Sequence, residues 1–131
     1  MHFPAFCPEV PVAALAPALA HYRERLGFAV DWADEALGLA GLSRGDARLF
    51  MSAANYRGGL GNRPPIVLWL NLSSRAEVDA LHAQWTAAGA GLVDAPAAKP
   101  YRLYEFFARD LDGNVLRVFY DFGLEEDAAK A

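Results

Sequence analysis

The chain has 131 residues, enough for one domain with a hydrophobic core and too few for two ordinary domains. Its net charge is −4, with 54% apolar and 21% charged residues, which excludes a disordered chain and gives no clustered basic face for nucleic acid. The single cysteine, Cys7, allows no internal disulfide and suits a reducing cytoplasm, the expected location, and no apolar run approaches the roughly 20 residues of a membrane span.

The apolar N-terminal stretch VAALAPALA lacks a basic start, follows Glu9 and lies among Pro8, Pro11 and Pro17, so it is not read as a signal peptide. Phe3–Val10 reads as a strand. Val12, Leu15, Leu19, Tyr22 and Leu26 then step by three or four, the spacing of one helix face. Pro17 is tolerated only in a first turn, so the helix is expected to begin around Ala14 to Ala16, with Gly27 as its C-terminal cap. Strands are expected over Phe28–Trp32, Leu37–Leu42 and Ala47–Ser52, with SRGD as the turn before the last. ANYRGGLGNRPP, about 54–65, is a linker by composition; without a Gly-Lys-Ser/Thr ending it is no phosphate-cradling loop.

Ile66–Leu72 reads as the next strand. Ser74 and Glu77 form a capping box, each side chain meeting the other residue's free N–H, ahead of a helix with Val78, Leu81, Trp85 and Ala88 on its apolar face. Gly89 closes that helix. Strands follow over Gly91–Asp94, Tyr104–Arg109 and Val115–Phe122, with DLDGN as the last turn. The order strand–helix–strand–strand–strand thus occurs twice, and Tyr22 and Gly27 recur about 60 residues later as Trp85 and Gly89. The expected fold is α+β: one domain of two βαβββ modules in tandem, about 3–53 and 66–122, with a tail over 123–131.

HYRERLGF, GDARLFMSA, VDALHAQWTAAG and EFFARDLDGNVLRVF, in this order from about Phe6 to Phe122, resemble the glyoxalase/bleomycin-resistance/dioxygenase superfamily, also called vicinal oxygen chelate. Within it, LFMSA, the Gly/Asn/Pro-rich linker, VLWLNL and KPY…EFFARD are most similar to the bleomycin-resistance (drug-binding) branch. The resemblance implies sheets that curl around a cleft, and a homodimer with two interface crevices that sequesters a drug unaltered. It also implies an N-terminal strand exchanged between subunits, for which Pro8 and Pro11 would serve as a hinge.

Metal-dependent members of the superfamily take His, Gln or Glu ligands from matching strands. Carried over, those positions fall near Cys7, Phe50, Val67 and Arg117. Val and Phe cannot ligate, and a guanidinium has no lone pair to give. A slip of register brings in Glu9 but no histidine, since His2, His21 and His82 lie at the terminus and on the helices. Neither a metal nor another cofactor is expected.

Alternation places Val115, Arg117 and Phe119 on one face of the last strand and Leu116 and Val118 on the other. The resemblance turns the first set toward the cleft, where Arg117 would meet an acidic ligand group, or Glu105 or Asp121 as a structural bridge. The candidate ligand-binding residues are Trp32, Phe50, Trp69, Tyr101, Tyr104, Phe106, Arg117 and Phe119. Asp31, Asp34, Glu35 and Asp46 would favour a cationic ligand, whereas Arg102 and Arg117 oppose one. Ser43, Ser52, Ser73 and Ser74 have no nucleophile-elbow context, and no catalytic residue is assigned.

Two function classes stay open. One is a metal-free homodimeric protein that sequesters an aromatic or cationic small molecule, with neither nucleic acid nor membrane as partner. The other is an enzyme of the same superfamily (a lyase, isomerase or dioxygenase), using a metal, or Arg117 and Glu105 without one. A domain whose cleft is filled by its own side chains is the third possibility.

Overall fold

The chain divides into two units, residues 1–66 with Leu111–Asn114, and Val67–Asp110 with the chain from Val115 on. The computed structural model describes residues 1–58, 63–92, 94–123 and 125. The middle of the expected linker (59–62), one residue of the expected strand 91–94, and most of the expected tail lie outside the described residues.

In the first unit, β1 (Glu9–Pro11), β2 (Ala29–Asp34), β3 (Leu39–Arg44) and β4 (Ala47–Ser52) form a sheet in the order β1-β4-β3-β2. β1 runs parallel to β4 and the other pairs are antiparallel. Helix α1 (Leu15–Glu24) buries Leu15, Leu19 and Tyr22 of the three- and four-step set that the sequence marks, and Ala18 beside them. Val10, Ala40, Leu42, Leu49 and Met51 belong to the same core, while Phe50 between the last two is exposed, as strand alternation requires. Pro17 stands in the first turn of α1, as expected. The helix ends at a cap on Arg25, with Gly27 (φ +79°) two residues beyond it and Phe28 N–H donating to the Tyr22 carbonyl at 2.9 Å.

Three expectations are corrected here. β1 starts at Glu9, not Phe3, and residues 1–8 carry no strand; Pro4 and Pro8 have no N–H to give a ladder. β2 runs on to Asp34 through a register shift between Val30 and Trp32. The expected linker opens with a short helix, α2 (Ala54–Arg57), held by tertiary bonds that its composition does not announce. Asn55 Nδ2 donates to the Ala36 carbonyl at 3.1 Å, and Arg57 Nη1 donates to the carbonyls of Val12 and Ser52.

Leu111–Asn114 of the DLDGN turn belong to this unit and do more than reverse the chain. Asp112 Oδ1 accepts from Ala13 N–H at 2.9 Å. Asn114, fully buried, donates to the Pro11 carbonyl at 2.8 Å and accepts from Ile66 N–H at 3.0 Å.

In the second unit, β5 (Val67–Asn71), β6 (Gly91–Leu92), β8 (Leu103–Arg109) and β9 (Val115–Asp121) are ordered β5-β9-β8-β6, with β7 (Ala97–Ala98) also on β8. β5 is parallel to β9, repeating the mixed pattern of the first unit. Helix α3 (Arg75–Ala88) buries Val78, Leu81 and Trp85. Phe106 of β8 meets the rings of Trp85 and His82 at 5.8 and 5.0 Å, and Ala108, Leu116 and Val118 are buried with it. Ser74 Oγ accepts from Glu77 N–H at 3.1 Å as expected, but Glu77 Oε1 returns to Ser73 N–H at 2.8 Å, one residue earlier than the box predicts. Gly89 adopts φ +77° and ends the helix. Ala97–Ala98, flanked by Pro96 and Pro100, has little strand propensity and was not expected as β7. Asp94 Oδ1 accepts from Phe107 N–H at 2.9 Å, filling the ladder between β6 and β7.

Candidate functional site

The side of the second unit's sheet opposite α3 carries a polar cluster set among rings. The ladder aligns Trp69 of β5, Arg117 of β9 and Phe107 of β8 in one rank, with Phe119 opposite Glu105 in another. Arg117 grips the Glu105 carboxylate with a fork: Nε donates to Oε2 at 2.8 Å and Nη2 to Oε1 at 3.0 Å. Nη2 also donates to the Tyr101 hydroxyl at 3.0 Å, and that hydroxyl donates to Glu105 Oε1. The guanidinium carbon lies 4.1 Å from the Trp69 ring centroid, 4.9 Å from that of Phe107 and 5.6 Å from that of Tyr101.

Burial orders this cluster from inside to outside. The Glu105 side chain is 0% exposed and that of Arg117 21%. Trp69 and Tyr101 remain 56% and 54% exposed, with the Trp69 ring edge-on to Phe119 at 5.4 Å. The carboxylate therefore lies beneath, saturated by three donors, and the outer layer is guanidinium, phenol and indole. The hydrogen bond to Glu105 raises the Tyr101 pKa above its usual value, and the same carboxylate raises that of Arg117.

The first unit carries a smaller aromatic shelf. Gly41 of β3 lies between Trp32 of β2 and Phe50 of β4, and the Trp32 indole crosses over it, 6.0 Å from the Phe50 ring. A Cβ on Gly41 would stand 2.4 Å from Trp32 Nε1, so the missing side chain makes room for the indole. Glu9, opposite Phe50, accepts from Ser52 Oγ at 3.1 Å. Asp31 and Asp34 are spent locally, accepting from Ser43 Oγ and from Leu37 N–H, both at 3.0 Å.

Of the eight candidate residues, the structure brings Trp69, Tyr101, Arg117 and Phe119 together, and separately Trp32 with Phe50. Phe106 lies in the core beneath α3 with no exposed surface, and Tyr104 faces the same helix, its hydroxyl donating to Asp79 Oδ1 at 2.6 Å. Alternation along β8 is the reason: Glu105 and Phe107 share the face of Arg117, and their neighbours cannot. Phe107 and Gly41 were missed. Counting back from the DLDGN turn gives Phe107 as the residue opposite Arg117, whereas only contact shows why position 41 is glycine.

The register also moves two of the positions carried over from metal-dependent members. Glu9, not Cys7, stands beside Phe50, and Trp69, not Val67, stands beside Arg117. Neither pair, carboxylate with phenyl in the first unit or indole with guanidinium in the second, makes a donor set for a divalent ion. Among the described residues no three His, Cys, Asp or Glu side chains gather where they could share one.

These mixed sheets, one with α1 and the other with α3, define a known class. The chain belongs to the glyoxalase/bleomycin resistance protein/dioxygenase superfamily, whose model matches residues 6–118. Among solved structures, it is similar to TioX from Micromonospora sp. ML1 (20% identity, 90% of this chain and 99% of that one, TM-score 0.74). It is also similar to the bleomycin-binding protein from Streptomyces verticillus complexed with copper(II)-bleomycin (25% identity, 90% and 96% covered, TM-score 0.69). A third likeness is to lactoylglutathione lyase from Agrobacterium tumefaciens (20% identity, 89% and 94% covered, TM-score 0.71). Comparison with curated protein sequences found no match. Among the described residues no helix is long and apolar enough to cross a membrane.

Proposed function

We propose that this protein is a metal-free small-molecule binder that holds a flat aromatic compound and does not transform it. The observation that carries this reading is the exposure of Trp69 and Tyr101 on a sheet face whose polar groups are already bonded to one another. Large rings left in water at that cost offer flat contact area with little rotamer entropy to lose. Glu105, the carboxylate bonded to Tyr101, has both oxygens engaged and is shielded, which disfavours a proton-transfer role. The likeness to the bleomycin-binding protein supports sequestration, and the resemblance to its branch supports a homodimer with one ligand per chain.

The test is a tryptophan-fluorescence titration with bleomycin and a panel of planar compounds, followed by mass spectrometry of the recovered compound. Saturable quenching near one equivalent per chain, with the compound unchanged, is the expected result. Conversion of any member of the panel with turnover would replace this reading with an enzymatic one.

A further inference from the structure

Resting on the binding reading above, we propose that the Arg117 face selects a planar aromatic ligand that carries an oxyanion, such as an aryl carboxylate, over a cationic one. The layering of the cluster carries the inference. Glu105 has both oxygens engaged, by Arg117 Nε, by Arg117 Nη2 and by the Tyr101 hydroxyl, and exposes no surface. A ligand approaching from solvent therefore meets donors first. Arg117 is the partly exposed member of the pair. Its Nη1 makes no hydrogen bond with the described residues, its bonds running from Nε and Nη2 alone. Fork contacts fix the guanidinium plane in advance, so a bound oxyanion finds it ordered. The exposed rings of Trp69 and Tyr101 flank it and supply the apolar contact.

A cation on this face would meet the guanidinium without reaching the carboxylate that compensates it. The competing feature is Glu9 in the first unit, a carboxylate beside Phe50. It would take the opposite charge, and a variant distinguishes the two.

Two probes with the same ring, 2-naphthoate and 2-naphthylmethylamine, separate the possibilities by isothermal titration calorimetry on the full chain. The naphthoate should bind at least about tenfold tighter, the scale of one charge-assisted hydrogen bond. The double variant Arg117→Leu/Glu105→Leu, which removes both charges together, should abolish that preference, so that the two probes bind alike whatever the change in their common affinity. Arg117→Lys, which keeps the charge and loses the fork, should retain only part of it. If the double variant does not fold, the wild-type preference and its reduction in Arg117→Lys decide the matter.

Equal or tighter binding of the amine would overturn the proposal and leave the binding reading standing, the more so if Glu9→Gln removed it. A naphthoate preference that survives in the double variant would overturn the assignment to Arg117. Saturable binding of neither probe would overturn the proposal and the binding reading together.

Discussion

The side chains of Glu105 and Arg117 show how a buried charge is made tolerable. Glu105 lies wholly out of water, and its three donors take the place of hydration. Arg117→Leu should therefore strand the carboxylate and lower stability by about 3 kcal/mol, at the low end for a buried pair because the arginine is partly solvated. Adding Glu105→Leu should restore most of that loss, since two apolar side chains leave no charge unpaired. Urea unfolding of the three proteins measures both steps; an additive double variant would show that the two side chains do not act as a pair.

Tyr101 yields a prediction with a definite sign. Its hydroxyl donates to Glu105, which favours the protonated phenol and raises the folded pKa above the unfolded value of about 10. The contribution of this bond is thus fully present below about pH 10 and is lost as pH rises through the higher folded value. Phenolate absorbance followed during an alkaline titration of wild type and Tyr101→Phe should differ by one ionisation at the alkaline end. If Tyr101→Phe instead loses an ionisation at the ordinary tyrosine position, the bond to Glu105 is absent.

At the scale of elements, what the sequence made legible was whatever local rules decide alone. Ser74, Gly89 and the spacing of Val78, Leu81 and Trp85 specify α3, and β4 spans the expected Ala47–Ser52. The elements not foreseen, α2 and β7, are short, and their own residues do not announce them. Arg57 reaches Val12, and Ala97–Ala98 finds a place only because β8 offers an edge. The same division runs through the site. Alternation put Arg117 and Phe119 on one face, but it could not say which of Glu105 and Asp121 the arginine would grip. The aromatic count likewise could not separate Phe106, a core residue, from Phe107.

The β2–β3–β4 shelf offers a test at this scale. Gly41→Ala would place a methyl 2.4 Å from Trp32 Nε1 and 2.8 Å from Cε2, and a rigid indole cannot yield by bending. The sheet should survive with unchanged far-ultraviolet circular dichroism, because alanine suits the extended backbone. The indole should swing away from the sheet, shifting tryptophan emission to the red and altering the near-ultraviolet spectrum. Identical emission from the two proteins would show that Trp32 does not lie across Gly41.

For the whole molecule, the repeat itself predicts how the chain treats metal ions. Each unit brings a first strand parallel to its last, and this pairing sets two side chains next to each other on the face away from the helix. In the first unit the pair is Glu9 and Phe50; in the second it is Trp69 and Arg117. A divalent ion needs three or four lone-pair donors; the pair in the first unit supplies one carboxylate, itself accepting from Ser52 Oγ, and the pair in the second supplies none. Cys7 lies two residues before β1 and is exposed, while His21 and His82 belong to the helices. A guanidinium that stays charged would in addition repel an ion placed beside it. Protein purified without chelator, incubated with manganese, iron, cobalt, nickel or zinc and passed through a desalting column, should therefore retain far less than one ion per chain. Stoichiometric retention of any of them by elemental analysis would mean that donors from outside these four positions converge, and it would reopen metal-assisted chemistry for this chain.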